Sequence, residues 1–372
     1  MKYFLTSLIF GACIIPSAVF AQNEGESSSQ QVTLSRDLKD YATISNIGGY
    51  FIGKYTYTDQ DGKHGGDGFS QRMIRLYADG TILKDFKYRI QAQVNNSKFH
   101  MKDYYVEYAK YDEIRVRVGQ YKRAFGFENP MNPWDVGTGD YSQLSKKLAG
   151  MGDYNGEDAI AGGRDQGLQI EGDLFPAKSD GHKYLHYQLQ MMNGQGINVS
   201  DANGKRDFIG SLQVQPIKGL WLGLFGWTGN YTENNITVDR NRWGASMKYD
   251  YQGWTARAEY AHSQGHKISE YDDKRKAFSG TGQADAWYVT LGVPVNDWLK
   301  VYGKYDVYRD QATWGTMKTI YSIAPNFQIH KNLMLQLQYN SVHDKTAQNY
   351  VYNELWAEAY VRFDSNSVFK KK

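Results

Sequence analysis

Strict alternation of apolar and polar residues, renewed in one short segment after another, constrains this chain more than any other feature. In Phe86–Val94, the residues Phe86, Tyr88, Ile90, Ala92 and Val94 alternate with Lys87, Arg89, Gln91 and Gln93. In Arg242–Asp250, Trp243, Ala245, Met247 and Tyr249 oppose Arg242, Gly244, Ser246 and Lys248. Leu333, Leu335, Leu337 and Tyr339 likewise oppose Met334, Gln336, Gln338 and Asn340. Successive side chains of a strand point to opposite faces, so each segment has one apolar face and one polar or small-residue face. A soluble barrel turns the apolar set inward. An apolar exterior around a polar interior is the arrangement of a water-filled barrel in a bilayer.

Such runs cover Gly49–Tyr57, Phe69–Tyr77, Phe86–Val94, Asp103–Ala109, Ile114–Lys122, Gln166–Leu174, Tyr184–Asn193 and Arg206–Gln215. They continue with Leu220–Tyr231 (apolar on both faces), Arg242–Tyr249, Trp254–Ser263, Ala284–Val293, Trp298–Tyr308, Thr319–Gln328, Leu333–Val342 and Asn353–Phe363. That makes about sixteen strands, each near the roughly 9–11 residues a tilted strand needs to cross a bilayer. Tight connections (Pro216–Gly219, Gln252–Gly253, Pro294–Asp297, His330–Asn332) alternate with longer ones (Gly194–Lys205, Thr232–Asn241, Gln264–Gln283, Asp310–Lys318, His343–Tyr352). Short periplasmic turns and longer external loops give this rhythm. The 30 Tyr and 38 Gly among 372 residues suit an all-β chain, and the Tyr and Trp near strand ends suit interfacial girdles. No linker-like change of composition follows residue 45, so a single barrel over 46–363 is expected rather than two domains.

Met1–Ala21 reads as a secretory signal, with Lys2, the apolar Phe4–Ile15 and a small-residue cleavage site at Val19–Ala21. The one cysteine, Cys13, lies inside it, and Phe10 fits a lipobox poorly, so no mature thiol is expected to form a disulfide or bind metal. Residues 22–45 read as a polar tail, and 364–372 as a basic tail after the closing strand.

The longest connection follows Ile114–Lys122. With the amino end in the periplasm it is the third external loop, Arg123–Asp165, far longer than most structureless loops and so a candidate for function. Its root, Gly119-Gln-Tyr-Lys-Arg-Ala-Phe-Gly-Phe-Glu128, resembles the Gly-Gln-Phe-Lys-x-Pro-Phe-Gly-x-Glu signature of the phosphate-selective porin O and P family. Asn193–Gly196, Asp201–Asp207 and Lys304–Asp306 resemble further family segments in the same order, and the resemblance spans roughly Gly48 to Phe363. It implies a homotrimeric transmembrane antiparallel β-barrel of about sixteen strands, with the third external loop folded inward to narrow the lumen. Ala124 stands where the family usually has Pro, and Phe363 is followed by further residues rather than ending the chain.

Ion preference follows from charge along the path. In the loop, Arg123, Lys146, Lys147 and Arg164 face Glu128, Asp135, Asp140, Asp153, Glu157, Asp158 and Asp165. On inward strand positions, Lys87, Arg89, Arg115, Arg117, Lys248 and Arg257 face Asp103, Glu107, Glu171 and Glu259. Opposite charges within about 8 Å largely offset each other. The expectation is therefore a general diffusion pore for small hydrophilic solutes or ions, phosphate or other anions among them, with a weak preference of undetermined sign. Candidate lining residues are Lys87, Arg89, Arg115, Arg117, Lys122, Arg123, Glu128, Lys146, Lys147 and Arg164. Outer-membrane lipid and two further copies of the chain are the expected partners; no cofactor, metal or nucleic acid is. His262 and His266 lack a helix to hold them as ligands, and Asp59/Asp61/Asp67 and Asp201/Asn203/Asp207 lack the closing Glu of a Ca²⁺ loop. No hydrolase elbow, metalloprotease helix or phosphate loop motif is present. The competing reading is an adhesion or assembly protein that uses the barrel only as an anchor.

Overall fold

The computed structural model describes residues 41–61, 67–95, 98–151 and 162–365. The expected signal, nearly all of the polar tail, the middle of the third loop and the chain from residue 366 lie outside them. The strands are β1 (Ala42–Thr58), β2 (Gly68–Ile82), β3 (Phe86–Asn95), β4 (Lys98–Tyr108), β5 (Arg115–Lys122), β6 (Arg164–Pro176), β7 (Lys183–Met192), β8 (Asp207–Ile217) and β9 (Leu220–Glu233). They continue as β10 (Ile236–Tyr251), β11 (Trp254–Gln264), β12 (Tyr271–Asp272), β13 (Ala277–Phe278), β14 (Gln283–Pro294), β15 (Leu299–Asp310), β16 (Met317–His330), β17 (Leu333–Asp344) and β18 (Val351–Asp364). Among the described residues of the third loop stands one short helix, α1 (Gln143–Leu148).

Sixteen of these strands form one closed antiparallel barrel. Each pairs with its neighbours in sequence, β11 joins β14 across the small β12–β13 hairpin, and β18 returns to β1. The closing register runs from Gly48 opposite Asp364 to Thr58 opposite Glu354. Closure leaves no strand edge, as a hydrocarbon environment requires.

The two faces sort as the alternation predicts. On β10, Trp243 is 54% exposed and the adjacent Arg242 only 3%. On β17, Leu335 and Leu337 are exposed while Gln336, Gln338 and Asn340 are buried. Exposed apolar side chains on the outside and buried polar ones within are the inverse of a soluble core.

One expected loop is corrected. Thr232–Asn241 is no long external loop: β9 and β10 run on to a two-residue turn at Asn234-Asn235, both with positive φ (49° and 63°). Asn tolerates that region, and two such residues make the hairpin turn whose twist matches the strands. The connection between the expected strands Phe69–Tyr77 and Phe86–Val94 likewise shrinks to Leu83–Asp85 because β2 extends to Ile82.

Two bulges matter for the interior. Ile52 faces Met73 while Gly53 faces Gln71, which leaves Arg72 as the extra residue of β2. Ile90 faces Tyr104 while Ala92 faces Met101, which sets Lys102 and Asp103 against Gln91 alone. A bulge re-aims the side chains around it.

Candidate functional site

The third loop is tied at its root by the motif that opens it. Arg123, with no exposed surface, donates to Asp165 (3.0 Å) and lies 4.8 Å from the Trp227 ring. The Ala124 N–H donates to the Gln190 side chain (2.8 Å), a bond a proline could not make. Phe125 and Phe127 meet Phe225 edge-on, and Phe125 also meets Trp227. Gly126 has φ +77°, and a Cβ there would stand 2.9 Å from Glu259 Oε2. Lys122 Nζ donates to the carbonyls of Asn129 (2.5 Å) and Met131 (2.9 Å).

Beyond the root, the loop bonds to the buried face of strands across the barrel. Phe127 and Glu128 N–H groups donate to Glu259 of β11, and the Gly139 N–H to Gln338 of β17. Arg257 of β11 donates to the carbonyls of Asp135 and Val136, and Asn326 and Gln336 to that of Gly137. Helix α1 is capped by Ser142, whose side chain accepts from Ser145 N–H. The helix sets Leu144 and Leu148 against a buried patch that includes Ala261, Ala284, Ala286 and Tyr288. Small residues on that face leave the room the loop occupies.

Opposite this packed wall stands a cluster of cations. Lys54, Arg72, Arg75, Lys102, Lys122 and Arg164 come from β1, β2, β4, β5 and β6; the carboxylates among them are Asp103, Asp140 and Glu358. Arg164 takes Asp103 with two nitrogens (2.7 and 2.9 Å), and Arg72 takes Glu358 (3.0 Å) and lies 3.8 Å from Asp140. Lys54 lies 3.6 Å from Glu358. Arg75 bonds the neutral Gln93 (2.9 Å) and sits 5.2 Å from the Tyr50 ring; Lys122 has carbonyls and the Tyr141 ring. Cations therefore exceed carboxylates, and two of them have neutral partners.

The last turn of α1 adds Lys146 and Lys147. Lys146 holds Asp140 at 2.6 Å. Burial works to raise the Asp140 carboxyl, but Lys146, Arg72 and Lys54 outweigh it and keep it below the usual carboxylate range. Lys146 is raised in turn: burial would lower it, and Asp140 prevails. Lys147 is exposed and lies 6.0 Å from the Tyr308 ring. Loss of hydration and the neighbouring Lys267, Lys146 and Lys318 lower its affinity for a proton. Burial raises Asp135, with Arg362 and Arg257 opposing.

The other expected arginines of the lining are balanced or covered. Arg89 pairs with Asp79 (2.7 Å), Arg117 with Glu107 and Glu171, and Arg115 with Glu171 and Asp173. Lys87 is exposed near the rim that carries the strand termini. Arg123 and Glu128, 0% and 1% exposed, lie within the packing of the loop root. An i, i+3 spacing puts Arg72 and Arg75 on opposite faces of a regular strand, so the sequence gives no sign that both line the interior; the bulge at Arg72 brings both inward. Trp227 and Asp306 lie in runs that read as ordinary strand, and Arg240 in the expected loop Thr232–Asn241. His266 stacks on Phe278 and bonds Glu270 (3.0 Å), and Asp201 accepts from Asn203 and Gly204 N–H groups and from Arg206, which occupies these former candidates within their own loops.

A closed sixteen-stranded barrel with a polar interior and this loop root invites comparison with known channels. Residues 45–159 match the family model Phosphate-selective porin O and P. The matched stretch contains the motif that carries the resemblance. No curated protein matches the chain. Among solved structures, the anion-selective porin from Comamonas acidovorans is similar with a TM-score of 0.65 at 14% identity, over 87% of this chain and 100% of that one. OmpF of Salmonella typhi, in complex with daunomycin, is similar with a TM-score of 0.62 at 11% identity, over 87% and 99%. The trimer form of OmpT from Vibrio cholerae gives 0.57 at 10% identity, over 87% and 100%. At these identities the likeness is one of fold, that of porin barrels.

Proposed function

We propose that this chain is an outer-membrane porin of a Gram-negative cell, delivered by its signal peptide, that passes small hydrophilic solutes by passive diffusion and favours anions. The observation that carries the reading is a closed barrel with an apolar exterior and a charged, polar interior. The rim with the long loops faces the outside, and the rim with the strand termini faces the periplasm. The third loop narrows the lumen, and the half-buried Lys54, Arg72 and Lys122 of the cluster face the path that remains, with Arg75, Lys102 and Arg164 buried behind them. The anion preference rests on the excess of cations there, because fixed charge at a narrow, poorly hydrated place weighs most on a passing ion. It is supported by the family match and by the anion-selective porin of similar fold. A homotrimer is part of the same reading, supported by the trimer form of a similar structure.

Conductance of the purified protein in a planar bilayer tests the channel, and reversal potential in a salt gradient tests its sign. Lys122→Glu with Arg75→Gln should move reversal toward cations, by more than Lys274→Glu with Lys276→Gln in an outer loop. Absence of conductance in a folded barrel would return the anchor reading.

A further inference from the structure

Three carboxylates from three separate segments converge on the third loop. Glu259 of β11 accepts from the N–H groups of Phe127 (2.6 Å) and Glu128 (2.8 Å), from the Ser246 hydroxyl (2.6 Å) and from the Tyr288 hydroxyl (2.5 Å). Glu128 of the loop itself accepts from Ser142 N–H (2.7 Å), from the Ser145 hydroxyl (2.7 Å) and from the Ser142 hydroxyl. Asp306 of β15 accepts from Gln143 N–H with both oxygens (3.1 and 2.9 Å). All three are at most 3% exposed. Together they hold the loop at two places, its root and the start of α1.

The charge of this cradle is unbalanced. Lys304 reaches Glu128 at 3.5 Å and makes a shorter bond to the Asp140 carbonyl (2.9 Å). Lys304 also faces Asp306, so one cation serves two of the carboxylates; Lys146 faces Asp306 too but is held by Asp140, Lys248 stands beside Glu259, and Arg257 is paired with Asp250. Tyr288 contributes a neutral hydroxyl. A carboxylate accepts these bonds strongly because it is charged; bonds to a charged acceptor are roughly twice as strong as neutral ones. A proton on any one of the three carboxylates removes its charge and puts a donor where loop N–H groups and hydroxyls also donate.

We propose that Glu259, Glu128 and Asp306 are the positioning residues of the third loop and form an acid-sensitive latch: proton uptake by this cradle loosens the loop from the β11–β15 wall and alters the conductance of the channel. The latch rests on the reading of the loop as the constriction. It differs from the anion preference, which lies with the cations on the opposite wall.

Single-channel recordings of wild type, Glu259→Gln and Asp306→Asn between pH 7.5 and pH 4 (roughly the range over which carboxylates titrate) test it. The wild type should hold one steady level near neutrality, then pass to a fluctuating level that differs by roughly 1.5-fold or more as the pH falls. Both variants should show the altered level already at neutral pH and respond little to acid. Hydrogen exchange of the 123–148 segment in the wild-type barrel needs no variant. After correction for the intrinsic rate, its protection should fall on acidification while that of β9 and β17 stays. A loop protected equally at both pH values, or variants indistinguishable from wild type at every pH, overturns the latch. Deletion of residues 130–150 separates the two claims. If it raises conductance while the variants behave as wild type, the constriction stands and the latch fails; if it leaves conductance unchanged, the constriction itself fails.

Discussion

Trp227 is enclosed by three guanidinium groups, from Arg123, Arg240 and Arg242, at 4.8, 5.1 and 4.6 Å from its ring. Its indole N–H donates to Asp207 (2.8 Å), so one aromatic residue organises buried charges of both signs at the root of the loop. Cation–π contacts strengthen when water is excluded. Trp227→Ala should therefore cost about 3–5 kcal/mol, read from denaturant unfolding in detergent, and Trp227→Phe less. Asp140 gives a prediction of a different kind. Its carboxyl is held below the ordinary range by Lys146, Arg72 and Lys54, against burial. Because the folded value is depressed, the ionic contribution is complete above the ordinary carboxylate pKa of about 3.9 and disappears only as pH falls through the lower folded value. Asp140→Asn should increase anion preference, and the difference from wild type should persist on acidification to about pH 4. Lys147 acts at the other end of the scale. Its charge is lost at a lower pH than that of an ordinary lysine, about 10.4, so anion preference should weaken as pH rises toward that value and Lys147→Met should remove part of that slope.

At the scale of elements, the third loop and the strands it touches are matched in shape. Gly137 has φ +92°, and a Cβ there would meet the Tyr302 ring at 2.4 Å. Gly137→Val should displace the loop without affecting barrel formation; altered conductance with unchanged migration of the folded form on gels would show this, and unchanged conductance would count against a constricting loop. The strands contribute through their irregularities. The bulge at Arg72 places two arginines of β2 on the interior, and the one opposite Gln91 buries Lys102 beside Asp103. The positive cluster is thus a product of register. The β9–β10 turn shows the opposite case, where residues that look like a polar loop in isolation continue a ladder to Asn234-Asn235.

For the whole molecule, closure is the controlling property. Each strand is stabilised by two neighbours, and unfolding in a bilayer would strand its backbone polar groups in hydrocarbon. The folded barrel should migrate differently on gels before and after heating and give a β-dominated circular dichroism spectrum in detergent; a helix-rich spectrum would contradict it. Mass measurement in mild detergent should return three copies, and a clean monomer would remove the trimer while leaving the channel.

Alternation by itself determined the strand number and the inversion of the faces, and the rhythm of short and long connections added the up-and-down order. A period of two is local: each residue's face is set by its immediate neighbours in Phe86–Val94 or Leu333–Asn340, and nothing distant is needed to read it. The motif at Gly119–Glu128 marked the loop root for the same reason, as a contiguous stretch. Which charges are free was decided only by tertiary structure. Lys122, Arg123 and Arg164 look alike in sequence, yet Arg123 is spent on Asp165 and Trp227, Arg164 on Asp103, and Lys122 hydrogen-bonds neutral carbonyls and meets Asp103 only through space. Partners such as Glu259 and Phe127 are more than a hundred residues apart, and their meeting depends on ring closure, on bulges that shift register, and on small residues that leave space across the barrel. Electrostatic energy depends on distance and hydration in space, and neither is written in the order of the chain.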